Sequence, residues 1–517
     1  MQTKRTPVLI IGGALSGLAT AVFLRAQGCA CLVAERHADT SRHPRARGVN
    51  IRTMELLRSV GLEDAVRGTR SARDLAGNGG IAVLRSLAGD ELAPFEQPYL
   101  SDTRAESRFP SPSRWCLCDQ DELERVLRRR AVELGADVRF GTEVGGLTRT
   151  GDGGYRAVLR PSSGEPYAVR ADFVVAADGA RGAVRRGLGI GMSDHRTLSR
   201  TVSVYARADL RAALGRRRFL MGYVANDAVN GVLVPVDNAE RWLLHVPYFP
   251  ERGQTVADFT PGRCAGLVRA AAGVPGLDVD VLDVLPWDSA AGVADRYGTD
   301  GVFLVGDCAH LMPPSGAFGA NTGVQDAHNL AWKLALRVSG RGGAGLLGTY
   351  EAERRAVAVA TVEQAVLRSR DRPRVGRGAD GVDSGAIVPD ETVQLGYTYG
   401  AGGWGDGTAV VGGRAPHLWL GRSGRSVLDL FGAGFVLLTG RAGAAWKAAA
   451  RGVDVTVFQA GLDDADADGH WRARYGSDDA AYLVRPDGFV AWASPHYTPD
   501  APSRLRGALQ EALGSRG

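Results

Sequence analysis

The 517-residue sequence predicts an α/β fold in three parts: a Rossmann-like domain, an antiparallel β-sheet interposed within it, and a small thioredoxin-like domain at the carboxyl end. Three observations carry this reading. A strand, a small-residue turn and a helix open the chain; the same texture returns at "DGVFLVGD" near residue 302; and the stretch between them alternates apolar with polar residues. The length suits two to four domains with ample sequence for large cores.

The first element is "PVLIIGGALSGLATAVFLRAQG", Pro7 to Gly28. Val8 to Ile11 reads as a strand and Leu15 to about Gln27 as a helix, with Leu15, Leu18, Ala19, Val22 and Phe23 repeating at helical spacing. Cys31 to Ala34 is the next strand, so the unit is βαβ. Between strand and helix stand Gly12, Gly13, Ala14, Leu15, Ser16 and Gly17, a dinucleotide fingerprint in which Ala14 replaces the middle glycine. The first glycine makes the tight turn, the middle one admits a pyrophosphate, and the last lets helix pack on strand. Ala14 is tolerable at negative φ, with the phosphate held slightly further off. Glu35 ends the second strand about twenty residues on, where an acid binds ribose hydroxyls.

From about Thr197 to Tyr248, stretches such as "GVLVPVDNAERWLLHVPY" predict an antiparallel sheet covering a pocket. After the return strand, Val324, Ala327, Leu330, Ala331, Leu334 and Val338 share one face of a long helix. Ser369 to Ala386 is rich in Arg, Gly and Asp and reads as a linker. Beyond it strand, helix, strand, hairpin and helix follow, with Pro486, Asp487 and Gly488 at the hairpin turn. This last region has no cysteine and so no dithiol chemistry. The expected boundaries are 1–190 with 280–370, including parts of 75–115 near the pocket under the sheet; 191–279 for the sheet; 371–390 for the linker; and 391–517 for the last domain.

Composition narrows the function classes. A net charge of +5 from nearly balanced acids and bases gives no field for nucleic acid. No apolar run reaches the roughly eighteen residues of a membrane span and no secretory leader is evident, so the expected location is cytoplasmic. Cys29, Cys31, Cys116, Cys118, Cys264 and Cys308 lack metal-site spacing and read as buried thiols, with no metal expected.

Two further motifs close apolar strands with an acid. One is "VVAADGARGAVRRGLG", with Asp178; the other is "VFLVGDCAHLMPPSGAFGANTGVQDAHNLAWKLA", with Asp307. Asp307 is placed to accept from a polyol, and the loop Pro313 to Gly323 delivers backbone N–H groups at a helix amino terminus, which suits an anionic ring edge. His310 reads as structural, His328 as a surface or capping residue, Asp326 as either a functional or a first-turn acid, and Trp287, Trp332 and Trp492 as core.

In this order and spacing the three motifs resemble those of the class A flavoprotein monooxygenases of the p-hydroxybenzoate hydroxylase type, most of all the phenol and aromatic-polyketide hydroxylases of actinobacteria. The resemblance implies FAD. It puts Gly12, Ser16 and Gly17 at the pyrophosphate, Glu35 and Arg36 at the adenosine end, and Val144 against the adenine. Arg47 and Gln120 match positions touching the flavin or its phosphates, Asp178 belongs to the second cofactor motif, and Asp307 meets the ribityl chain or pyrophosphate. Pro314, Gly316, Gly319 and Asn321 surround the isoalloxazine. Departures from the family pattern are Ala14, Gly182, Cys308 and Ala317.

The implied activity is hydroxylation of a phenolic, quinone or polyketide-type aromatic through a C4a-hydroperoxyflavin, with NADPH or NADH as transient co-substrate and O2 as oxidant. Met221, Tyr223, Leu233, His245 and Trp242 are candidates for the substrate wall, and no catalytic base is assigned. Baeyer–Villiger oxygenation of a polycyclic ketone, a non-redox FAD-binding role, and a homodimer or higher homo-oligomer stay open at this point.

Overall fold

The computed structural model describes residues 3–93, 107–371, 384–400, 403–421, 424–461 and 470–515. Most of the linker expected at 371–390, and part of the 75–115 stretch, lie outside them.

The opening strand, Thr3–Ile11, sits at the centre of a sheet ordered Gly298–Thr299, Val302–Leu304, Tyr167–Ala176, Thr3–Ile11, Cys31–Ala34, Asp137–Arg139. The inner pairings are parallel. A parallel strand covered on both faces needs a continuous apolar run, and "VLII" supplies it. Val8 and Ile10 pack with the helices Leu15–Ala26 and Phe318–Val338. Leu9 and Ile11 pack on the other face with Tyr155, Ala157 and Leu159, from the antiparallel pair Thr142–Arg149 and Tyr155–Pro161. Because Thr3–Ile11, Tyr167–Ala176 and Val302–Leu304 run side by side in one direction, their carboxyl ends fall on one edge, bringing Gly12, Asp178 and Asp307 together. Ligands of open α/β sheets bind at this edge.

The second sheet is ordered His310–Leu311, Asp280–Ala294, Met192–Arg207, Arg241–Pro247, Asn230–Pro235, Met221–Ala225, Ile81–Leu84, Glu91–Ala93. Asp280–Ala294 pairs antiparallel along Met192–Arg207, so this sheet extends beyond residue 279, where the sequence placed the return to the first domain. Cross-strand partners share a face, and two rows result. Tyr223, Val232, His245, Ser203 and Leu285 are joined by successive pairings, as are Gly222, Leu233, Leu244 and Val204. The second row is buried against the helix Pro261–Ala272, through Cys264, Val268 and Ala271. Leu233 and Trp242 belong to that core, which corrects their expected place on the substrate wall: a one-residue offset in a strand puts a side chain on the opposite face.

The carboxyl-terminal sheet is ordered Thr456–Gln459, Val436–Thr439, Ala481–Val484, Val490–Ser494, with the first pair parallel and the others antiparallel. Its helix Ala501–Ala512 packs with Trp446 and with Trp332 and Leu346 from the preceding region, so one apolar cluster spans both. Lys333 and Arg485 both pair with Glu353, and Arg52 donates to the Asp487 carbonyl.

His328 corrects another expectation. Its ring lies edge-on to Phe23, 4.8 Å between centroids, and the residue is half-buried. Burial, reinforced by Arg52, lowers its pKa to about 3. The neutral form is therefore the folded form, and below the ordinary histidine value of about 6.5 the unfolded chain takes up a proton that the folded chain refuses. Stability falls as pH drops from about 6.5 toward 3, by about 1.4 kcal/mol per pH unit from this group. In urea titrations, His328→Leu is expected to lose about 1.6 kcal/mol less than the parent between about pH 6.5 and 5; equal slopes contradict the assignment.

Candidate active site

One cavity of ≈ 3210 Å³ runs from Glu35, Arg36 and Val144, past Gly12 to Ser16 and Asp307, along Pro313 to Ala320, and onto the second sheet. Pockets for drug-sized ligands measure about 300–1,000 Å³, so this space takes a dinucleotide and a second molecule in series.

At the nucleotide end the backbone determines the shape. Gly12 has φ +107°, and a Cβ there would strike the Ala177 carbonyl; a Cβ on Gly17 would strike the carbonyl of Gly12. Gly17 thus packs helix on strand and does not reach the cavity wall, unlike Gly12 and Ser16. Ala14 has φ −83° and ψ −169°, where its methyl carries no strain, and the helix Leu15–Ala26 begins without a side-chain cap. Its positive end faces the space in which a phosphate is expected. Glu35 accepts from Gly13 N at 2.7 Å and from the ring and backbone N–H of His37. Arg36 is exposed beside it.

Arg47 lies deeper. Its Nε donates to Asp119 Oδ1 at 2.7 Å, one Nη donates to the Pro235 carbonyl, and the buried Nη2 has no partner among the described residues. Gln120 accepts from Ala46 N and donates to Glu124, which in turn accepts from Leu15 N at 3.1 Å and Ser41 N at 2.9 Å. Asp178 accepts from Val184 N at 2.9 Å, and Gly182 between them has φ +44°, which explains glycine at that departure. Asp307 has no hydrogen-bond partner among the described residues; its side chain is open, but to the cavity, and burial there raises its pKa against the opposing pull of His310 and Arg45. An unpaired carboxylate on the wall of one deep space, with the Arg47 guanidinium lining the same space, fits a ligand that carries both an anion and hydroxyl groups.

The loop after Asp307 is pinned from behind. Asp326, fully buried, accepts from Gly306 N at 3.3 Å, His310 Nε2 at 2.8 Å and Arg354 Nε at 2.8 Å. Burial alone would raise its carboxyl, yet His310 and Arg354 outweigh it and hold the pKa low. Asn321 accepts from Asn50 N at 3.0 Å and donates to Gly48 O and Ala317 O. It ties two cavity segments together and, like Gly316, is absent from the wall, in contrast to Pro314 and Gly319. Spacing cannot separate a wall residue from the one bracing it, and Asn321 is such a brace.

The sheet closes the far end with Met221, Tyr223, Val232, Leu243, His245 and Trp287. Trp287 is a wall residue, not core: its Nε1 donates to Ser203 Oγ at 2.9 Å, and its ring stands at 85° to His245. Asp119, Glu124 and Ser203 were also missed. The signal for Glu124 lay in "CDQDELERVL", one helical turn past Gln120; Ser203 and Trp287 gave none. Among the described residues no group of His, Cys, Asp or Glu is arranged to hold a metal, and no helix is long and apolar enough to cross a membrane.

An α/β edge built for a dinucleotide, opening on an aromatic-walled chamber, defines a nucleotide-cofactor enzyme with its substrate in the same cavity. Comparison with known proteins specifies the class. Residues 5–365 match the FAD binding domain family and residues 408–515 the aromatic-ring hydroxylase C-terminal family. The chain is 41% identical to 4-methyl-5-nitrocatechol 5-monooxygenase from Burkholderia sp, covering 98% of this chain and 97% of that one. It is 39% identical to tetracenomycin A2 monooxygenase-dioxygenase from Streptomyces glaucescens, covering 99% and 98%. Among solved structures, aklavinone-11 hydroxylase in ternary complex with FAD and aklavinone superposes with a TM-score of 0.90 at 35% identity, covering 99% of this chain and 100% of that one. The chain belongs to the FAD-dependent aromatic-ring hydroxylases. It is a flavin-dependent monooxygenase, with FAD as cofactor and reduced nicotinamide and O2 as co-substrates.

Ala317 starts the helix Phe318–Val338 at φ +53°, a left-handed conformation that disfavours a Cβ. Ala317→Gly is expected to stabilise the protein by about 0.5–1 kcal/mol in chemical denaturation; a destabilised variant contradicts this.

Proposed function

We propose that the enzyme hydroxylates a polycyclic aromatic substrate of the polyketide type, and that the cavity holds FAD along the first sheet's edge with the substrate beneath the second sheet. The observation that carries this is the continuity of one cavity from the Glu35 end to an apolar and aromatic wall of Met221, Tyr223, Val232, Leu243 and Trp287. The relatives that act on tetracenomycin A2 and aklavinone support the substrate class.

When bound, FAD supplies the two-electron redox and oxygen-activating chemistry. The chain supplies the rest. Gly12 to Ser16 and the start of the first helix hold the pyrophosphate, with Gly17 allowing that approach and Arg47 supplying positive charge from the cavity wall. Glu35 and Arg36 take the adenosine ribose, Val144 lies against the adenine, and Gln120 and Asp178 shape the phosphate end. Asp307 accepts from the ribityl hydroxyls. Pro314, Gly319 and the amino terminus of Phe318–Val338 face the ring, where the helix dipole stabilises negative charge. Asn321 fixes that loop through Gly48 and Ala317, and Gly316, at φ +87°, makes its turn. The second sheet keeps water from the reacting face.

Asp307→Ala removes a carboxylate from the cofactor site, and FAD affinity is expected to fall about 10- to 100-fold, read as flavin lost on purification. An Asp307→Ala protein as yellow and active as the parent refutes the assignment. The parent is expected to couple NAD(P)H oxidation to a phenolic product heavier by one oxygen; an ester or lactone would instead establish Baeyer–Villiger oxygenation.

A further inference from the structure

His245 ends a hydrogen-bonded chain that crosses three strands of the substrate-side sheet, with Ser203 at its middle and Trp287 at its start. Successive antiparallel pairings place Ser203 opposite His245, and His245 opposite Val232, so all three side chains share the cavity face. Trp287, on the strand that pairs with the other edge of Met192–Arg207, lies diagonally across from Ser203. Indole Nε1–H can only donate, and it donates to Ser203 Oγ at 2.9 Å. Ser203 Oγ lies 2.6 Å from His245 Nδ1.

The hydrogen inventory fixes the direction of this chain. With one lone pair of Ser203 Oγ taken by Trp287, the hydroxyl hydrogen needs an acceptor, and the one at hand is Nδ1 of His245. An imidazole that accepts at Nδ1 carries its proton on Nε2. Burial, reinforced by His43 and Arg47, lowers the His245 pKa to about 4, so the ring is neutral at physiological pH. Nε2–H has no protein partner among the described residues, and the residue lines the cavity. Around it the wall carries Met221, Val232, Leu243 and Leu285, with His43 and Arg47 as its polar neighbours. A fixed donor on such a wall selects the position of an acceptor, and a site built this way rejects analogues that lack the matching oxygen far better than it measures shape.

We propose that His245 is a substrate-recognition residue whose Nε2–H donates to a carbonyl or phenolate oxygen of the polycyclic substrate, with Ser203 and Trp287 as positioning residues that fix the imidazole tautomer. This inference rests on the substrate reading given above. It goes further in assigning one oxygen of the substrate to one atom of the protein.

The test uses the full-length, FAD-loaded protein and two probes of equal ring count, quinizarin (1,4-dihydroxyanthraquinone) and its oxygen-free skeleton anthracene, titrated by fluorescence. His245→Phe is expected to weaken quinizarin binding about tenfold or more, to leave anthracene binding within about twofold, and to retain FAD. His245→Gln, which keeps an N–H donor, recovers part of the loss. Nitrogen-15 spectra of histidine-labelled protein are expected to show the Nε2–H tautomer for His245 in the parent and a mixture in Ser203→Ala, a change that a merely structural serine would not produce. Unchanged quinizarin affinity in His245→Phe, an equal loss for anthracene, or an Nδ1–H tautomer in the parent overturns the proposal while leaving the substrate class intact. A yellow parent that binds neither probe overturns the polycyclic substrate reading and this inference with it.

Discussion

Asp326 is the fixed point on which the cavity depends. Its carboxylate takes hydrogen bonds from the Gly306 backbone, His310 and Arg354, and so fastens the turn that carries Asp307 to the two longest helices. The chain of polar contacts does not stop there. Arg354 reaches the Tyr399 hydroxyl, Asn329 donates to Glu353, and Glu353 receives Lys333 and Arg485. Buried ion pairs add little net stability against apolar replacements, but removing one partner costs about 3–5 kcal/mol because it strands a charge. The network's contribution is therefore position: it ties the loop that carries Asp307 to the long helices, and the helices to the carboxyl-terminal domain.

That domain has the strand order of a thioredoxin-like unit without its chemistry. It holds no cysteine, and the cysteines elsewhere are buried, with burial pushing Cys31 and Cys118 up to about 12 and Cys29 and Cys116 up to about 11. Thiols so shifted carry little thiolate at neutral pH. What the domain does supply is apolar cover for Trp332 and Leu346 and partners for Lys333, Glu353 and Arg52.

The parts of this architecture that were legible in the sequence are those with local causes. Gly12 and Gly17 announce a close turn, Ala14 is tolerated because the backbone there keeps φ negative, and "VLII" announces a strand covered on both sides. Asp178 and Asp307 were readable because each ends an apolar run. Questions of face were not. Alternation shows that Met221, Tyr223, Leu233, Trp242 and His245 belong to strands, but only cross-strand register separates Tyr223 and His245 from Leu233 and Trp242. Trp287 was hidden for the same reason, on a strand assigned to the other domain. His328 looked exterior because its neighbours Phe23 and Arg52 are hundreds of positions away in sequence.

The account's central claim is that one cavity takes the cofactor and the aromatic substrate end to end. The most direct test is a crystal structure of the FAD-loaded protein. The account predicts the pyrophosphate at the Gly12 turn, and the isoalloxazine between the loop Pro313 to Ala320 and the sheet wall that bears Tyr223 and His245. Flavin bound outside this cavity, or a ring turned away from that wall with no room left for a second molecule, would contradict it.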